Sequence, residues 1–245
     1  MALAIAWCIT GGGAHLRGSV EVMQRVRMEL GAKITVFLTR WGFEVARIFG
    51  VLPLIKATAS GRYYEELLIG DQGMYYIGRM NMKRYRFLVI APATANTIAK
   101  IVHGIADSIA SALYSQAMKS GIPTIILPTD IPGSEGFIET ETPCYIDREL
   151  CLKVNCIACL AEEVCPVRAI KRIDGAPRID LSKCIGCEKC LYRCPYGAVK
   201  CWERIKLIPR ELDLRNIDTV RREVNVHIVS DELQLFNTIK KLAEV

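Results

Sequence analysis

The stretch ALAIAWCITGGG, residues 2–13, sets the reading of the whole chain. Residues 2–9 form an unbroken apolar run, followed at once by Thr10 and the glycines Gly11, Gly12 and Gly13. A run without polar alternation reads as a strand covered on both faces, as in a parallel sheet. The run is apolar but carries no basic leader, so it reads as a first strand and not as a signal peptide. From Ser19 to Leu30 the spacing turns helical, with Val22, Val26 and Leu30 on one face and Gly31 as the stop.

The same alternation continues outward. KITVFLT (33–39), RFLVIAPA (86–93) and IPTIILPT (122–129) read as three further strands. Helices are predicted at Phe43–Phe49, with Pro53 closing that unit, at Thr94–Lys100, and at Asp107–Lys119, ended by Gly121. Strands alternating with helices give right-handed βαβ units, so the expected fold is α/β, a Rossmann-like or flavodoxin-like parallel sheet. Residues 54–85, with Tyr63, Tyr64, Tyr75 and Tyr76 among Gly70, Gly73 and Gly78, read as a lid or a subunit contact.

The chain has 245 residues, 51% hydrophobic and 24% charged, enough for one medium domain and an appendage. That composition excludes global disorder, and no apolar run approaches the ~18 residues that span a bilayer. The segment IPGSEGFIETETP (131–143) is a boundary signal. Predicted units are therefore 1–140, 141–210 and a strand–helix tail over 211–245, with the middle unit either inserted in the first, the tail then rejoining it, or appended to it.

The middle unit is organised by cysteine. Of eleven cysteines, Cys8 stands alone and ten fall between Cys144 and Cys201. With no signal peptide, a disulfide framework is not expected, and clustered thiols point to metal. Cys184-x2-Cys187-x2-Cys190-x3-Cys194-Pro195 matches the run that holds cubane iron–sulfur clusters in bacterial ferredoxins. Three thiolates wrap one cubane, and the fourth turns away to another. A looser copy precedes it, Cys151-x4-Cys156-x2-Cys159-x5-Cys165-Pro166, and CPVRAIK (165–171) repeats as CPYGAVK (194–200). The crossed assignment is Cys151, Cys156, Cys159 and Cys194 on one [4Fe-4S] cluster, and Cys165, Cys184, Cys187 and Cys190 on the other. Cys144 competes with Cys151 for the first set, while Cys8 and Cys201 read as buried or spare thiols. Structural zinc prefers two cysteine pairs with a long spacer, which these spacings do not match.

The formal charge of +6 by itself suggests acidic partners. Two oxidised cubanes with their thiolates carry about −4 together, which offsets most of it. No basic run interleaves with aromatics, so nucleic acid is not expected as a partner.

The glycine turn lies where phosphates bind in open α/β sheets. A dinucleotide fingerprint starting at Gly11 fails at Leu16, and Thr39-Arg40 stands where its ribose-binding acid belongs. A phosphate-binding Gly-Lys-Ser fails because the chain reads Gly18-Ser19-Val20. A second string, Ala91-Pro92-Ala93-Thr94-Ala95-Asn96-Thr97, follows a buried strand and is itself followed by GIADSIAS (104–111). Its small residues allow close backbone approach, and Thr94, Asn96 and Thr97 place polar groups at a helix start.

APATANT with GIADSIAS resembles the FMN motif of the flavoprotein family that includes cysteine-type decarboxylases and flavin prenyltransferases. The resemblance covers residues 1–130. It implies that FMN is held by Thr10, Gly11, Gly12, Gly13, Thr39, Ala93, Thr94, Ala95, Asn96 and Thr97, with Asp107 and Ser108 next to them. The chain departs from the decarboxylase branch in reading LPTDIPG (127–133) after its fourth strand. A flavin domain joined to a two-cluster ferredoxin domain resembles the archaeal dihydromethanopterin reductases. That implies a cytoplasmic, homo-oligomeric oxidoreductase taking electrons from reduced ferredoxin or a similar one-electron donor. The electrons pass through two clusters to FMN and on to a dihydropterin. His15, His103, Asp107 and Asp130 are the positional candidates for the proton donor. The competing reading is an electron carrier between proteins, with no small-molecule substrate of its own. Redox-neutral decarboxylation or prenyl transfer has no use for clusters.

Overall fold

The computed structural model describes residues 3–154 and 156–244, so Ala2 of the first apolar run and Val245 of the predicted tail lie outside it. In chain order the first elements are β1 (Ala4–Ile9), α1 (Leu16–Leu30), β2 (Lys33–Leu38), α2 (Arg40–Ile48), α3 (Leu52–Thr58), β3 (Leu67–Ile69), α4 (Gly78–Asn81), β4 (Phe87–Ala93), α5 (Ala95–Val102), α6 (Ile109–Lys119) and β5 (Thr124–Pro128). Each strand expected from an unbroken apolar run is present. α1 and α2 begin earlier than predicted, at Leu16 and Arg40, and α5 and α6 begin later, at Ala95 and Ile109.

Residues 54–85 are not a free lid. They supply the third parallel strand, β3, beside β2. Tyr63, Tyr64 and Tyr76 gather around the guanidinium of Arg79, at 5.2, 4.9 and 4.6 Å from their ring centres. Arg79 is itself held by Glu66, with Nη2 to Oε1 at 2.9 Å. Three of the four tyrosines therefore build a local cation–π nest, which apolar periodicity does not register, while Tyr75 stays exposed.

The second half contains β6 (Ile138–Glu141), β7 (Tyr145–Ile146), α7 (Arg148–Val154), α8 (Leu160–Glu163), β8 (Ile170–Ile173), β9 (Ala176–Ile179), α9 (Lys189–Arg193), β10 (Val199–Lys200), β11 (Arg204–Leu207), α10 (Glu211–Arg221), β12 (Val226–Ile228) and α11 (Glu232–Glu244). The six-stranded sheet has the order β3-β2-β1-β4-β5-β12, with every pairing parallel. The strand order reverses direction between β1 and β4, which opens a crevice at the strand C-termini there.

The strand pleat sorts the core. Ile5, Trp7 and Ile9 of β1 face α1, α2, α3 and α11, whereas Ala4, Ala6 and Cys8 face α5, α6 and α10. Cys8 is fully buried, and burial pushes its thiol far up from the ordinary value.

The chain leaves the sheet after β5 and returns as β12, so the cysteine block is an insertion. Its two crossings run antiparallel as one ribbon. Ile138–Glu141 pairs with Arg204–Leu207, and Tyr145–Ile146 pairs with Val199–Lys200. Between these pairings Cys144 is disulfide-bonded to Cys201. This corrects the expectation of spare thiols and removes Cys144 as a competitor of Cys151. Separation in sequence hid the pair, because the ribbon that aligns them forms only in three dimensions. The helix α10 also escaped prediction. Its buried face is thin, Ile217 and Val220 with Asp213, and Arg210 neutralises Asp213 through Nε–Oδ2 at 2.7 Å.

Candidate functional site

The crevice is built from the loops that leave β1, β2, β4 and β5. Thr10 ties two of them together. Its hydroxyl donates to the Pro92 carbonyl at 2.8 Å and accepts from the Thr94 backbone N–H at 2.9 Å. Thr39 joins the β2 end. Its backbone N–H donates to the Ile9 carbonyl at 3.1 Å, and its hydroxyl caps α2 by accepting from Gly42 N–H at 2.9 Å. From β5, Thr129 donates its backbone N–H to the Ala93 carbonyl at 2.9 Å.

Gly12 sits where these loops meet. A Cβ there lies 2.5 Å from Thr129 Cγ2 and 3.3 Å from Thr94 Cγ2, so only glycine fits. Gly11 is backed by Trp41, at 2.7 Å between its Cβ position and Trp41 Cβ. Trp41 is 68% exposed, a large apolar side chain beside the glycine turn. Such a ring beside a glycine turn is a candidate cover for a planar ligand, and sequence reading missed it although it follows Thr39-Arg40 directly. Gly13 is backed by Phe49, whose Cζ lies 2.8 Å from the Cβ position.

Along α5 the polar groups divide. Thr94 precedes the helix, but its hydroxyl makes no cap bond and instead meets the Thr97 hydroxyl at 3.2 Å. Asn96 is exposed, and Ala93 is buried in the strand end with Ala95 half-buried beside it. Ser108 forms a capping box with Ser111 at the start of α6. Asp107 is ion-paired with Lys100, 2.7 Å. The donor set fits an FMN: a cradle closed by glycines, backbone groups at helix starts and free side-chain polar groups at its rim.

The proton-donor candidates separate. His15 occupies a left-handed conformation at φ 62° just after the glycine turn, and its Nδ1 is 2.9 Å from Glu232 Oε1. That hydrogen bond outweighs burial and holds the Glu232 carboxyl below the ordinary carboxylate value. Asp130 Oδ2 accepts from the Thr129 hydroxyl at 2.5 Å. His103 and Asp107 lie together on the exposed turn between α5 and α6.

The cysteines fall into two groups. Cys151, Cys156, Cys159 and Cys194 line one cavity of about 500 Å³. Cys165, Cys184, Cys187 and Cys190 line another, against which Cys144 also rests. Burial and neighbouring thiols raise Cys151 and Cys184 and push Cys190 up to about 11. Four thiols crowded in this way need a cation to become thiolates together, which fits iron–sulfur ligation.

A family model described as Flavoprotein matches residues 2–131, and one described as 4Fe-4S binding domain matches residues 177–200. A dihydromethanopterin reductase (acceptor) of Methanosarcina mazei is 37% identical over 89% of this chain and 90% of its own. A protein of the same name from Methanocaldococcus jannaschii is 38% identical over 74% and 72%. The crystal structure of Burkholderia xenovorans DmrB in complex with FMN, described as a cubic protein cage for redox transfer, superposes with a TM-score of 0.60. It shares 21% identity over 98% of this chain and 94% of that one, a likeness of fold.

Proposed function

The chain belongs to the dihydromethanopterin reductase (acceptor) family, and we propose that its crevice and two thiol tetrads form one redox path ending on dihydromethanopterin. It is an iron–sulfur flavoprotein oxidoreductase that yields the tetrahydro form. The observation that carries the reading is the coexistence, on one chain, of the Gly12 cradle and of two separate groups of four cysteines.

When bound, FMN accepts electrons singly and delivers them as a pair, and the clusters supply them one at a time. Thr10 and Thr94 lock the β1 and β4 loops in register, so the cradle exists before ligand arrives. Gly11 to Gly13 with Thr39 would hold the phosphate side of FMN, and Ala93 to Thr97, Asp107 and Ser108 would hold the opposite side. Trp41, exposed beside the glycine turn, would cover the planar group when it is bound. Of the four proton-donor candidates, His15 is the best placed, since Glu232 holds its ring at Nδ1 and leaves Nε2 free. The domain limits remain 1–140, 141–210 and 211–245, with two clusters held as the tetrads divide. Reduced ferredoxin or a similar one-electron protein is the donor. The exposed turn His103–Asp107 and the exposed Trp41 favour a homo-oligomer that completes the crevice. Among the described residues no helix is long and apolar enough to cross a membrane.

Anaerobically purified protein should hold about eight irons and one FMN per chain, and dihydropterin should reoxidise it after reduction. Gly12→Val should release FMN and keep the iron. Stoichiometric zinc in place of iron and sulfide overturns the tetrad assignment. A reduced protein that dihydropterin never reoxidises is instead a carrier between proteins.

A further inference from the structure

The two tetrads differ in what surrounds them. Cys151, Cys156, Cys159 and Cys194, each half-buried, line a cavity formed within the cysteine block. Among the described residues none of the six-stranded sheet lines their cavity, and its rim carries Ile157, fully exposed, and Tyr196, 52% exposed. The tetrad of Cys165, Cys184, Cys187 and Cys190 is instead pressed onto the flavin half. Arg47 of α2 donates to the carbonyls of Cys184 and Leu181. Gly186, between Cys184 and Cys187, meets Gly50 backbone to backbone. A Cβ on Gly186 would lie 2.4 Å from the Ile48 carbonyl oxygen and 2.5 Å from Gly50 N, so no side chain can separate the two surfaces.

From this second tetrad a packed seam runs to the crevice. Glu188 stands between Cys187 and Cys190, and its carboxylate accepts the indole N–H of Trp202 at 2.7 Å. The Trp202 and Phe49 rings pack at 5.3 Å between centres, tilted by 39°. Phe49 in turn backs Gly13 of the glycine turn. Arg17 lies 4.1 Å over the Trp202 ring and pairs with Glu141 of the ribbon, which holds the indole in place. Electron transfer falls steeply with distance and with gaps in packing, so a continuous seam on one side makes the tetrads inequivalent.

We propose that electrons arrive at the Cys151/Cys156/Cys159/Cys194 tetrad and leave for the flavin crevice through the Cys165/Cys184/Cys187/Cys190 tetrad, with Trp202 and Phe49 as positioning residues that close the gap. This rests on the cofactor sets proposed above. A one-electron donor protein is oxidised twice per turnover. The two electrons cross in the same order, and two protons join them at the substrate. The apolar rim of Ile157 and Tyr196 is the face the donor reaches first.

The test separates cluster bleaching from flavin bleaching by anaerobic stopped-flow absorbance, with iron and flavin content measured on every variant. With reduced ferredoxin, Cys187→Ser should retain about half the iron and all the flavin. Its remaining cluster should bleach at the unmodified rate, while flavin bleaching slows at least tenfold. Cys156→Ser should lose rapid reduction by ferredoxin altogether, yet small reduced viologen should still reduce its remaining cluster and flavin. Trp202→Leu and Phe49→Leu should keep both cofactors in full, leave cluster bleaching unchanged and slow the cluster-to-flavin step. Trp202→Phe should restore most of it, and photochemical reduction of the flavin itself should not change. The order is overturned if Cys187→Ser passes electrons to flavin at the unmodified rate. The seam is overturned if Trp202→Leu, with full iron and flavin, shows an unchanged step. Absence of iron or flavin from the unmodified protein defeats the cofactor reading instead.

Discussion

The sheet half and the cysteine block are held by different physics. The sheet buries Trp7, Phe37, Phe87, Ile5 and Leu38 completely and packs helices on both faces. The block's buried core cluster is only Cys144, Ala161, Ile170, Ile179 and Val199 among the described residues, packed against the cysteines. A unit of that size rarely stabilises itself by apolar burial alone. Covalent and coordinate bonds do there what hydrophobic area does in the sheet.

The sharpest way to break the comparison is to remove iron. Chelation under reducing conditions should make residues 148–198 protease-sensitive and leave the sheet's cooperative melting in place, because β12, α10 and α11 dock on the sheet independently of iron. Limited proteolysis with mass spectrometry checks this, and a single loss of both halves would show that the sheet depends on the block. The converse change is Trp7→Ala. Trp7 is fully buried and its Nε1 donates to the Ala91 carbonyl at 3.1 Å. Truncation should cost about 3–5 kcal/mol of sheet stability in denaturant melts while iron content per folded molecule stays constant.

Next in size is the disulfide. It closes a loop of 57 residues around the whole block. Loop-closure entropy gives it about 4 kcal/mol of effect on the block, so Cys201→Ser should loosen the ribbon and speed iron loss, read as the rate of cluster bleaching by a chelator. The smallest effect concerns the seam between tail and sheet. Glu232 is held low by His15, and its contribution is present above the unfolded carboxylate pKa, about 4.3. It is lost as pH falls through the lower folded value. The pair is partly exposed, so Glu232→Gln should cost less than about 1 kcal/mol at neutral pH and nothing once the carboxyl is protonated in both states. An effect that persists at acid pH would assign the loss to packing.

These outcomes follow the same line as what the sequence made legible. ALAIAWCI, KITVFLT, RFLVIAPA and IPTIILPT each announced a strand, because burial on both faces demands an unbroken apolar run. The short β3 did not, since three residues at a sheet edge carry too little pattern. Likewise α10 hides a buried Asp213 behind Arg210, so its pattern reads as charged. At the site, the glycines and APATANT were legible because their chemistry is local to a loop. Trp41, Phe49 and Trp202 were not, because each matters through a neighbour remote in sequence.

By itself the sequence determined the α/β class, the glycine turn and the cysteine spacing, all of which depend on residues close along the chain. Only the tertiary structure decided that the cysteine block is an insertion, with β12 completing the sheet beyond it. It also decided that Cys144 meets Cys201. The reason is common to both. Each depends on which distant segments the folded backbone brings side by side, and that is settled by the sheet's burial and the ribbon's pairing, not by any local pattern.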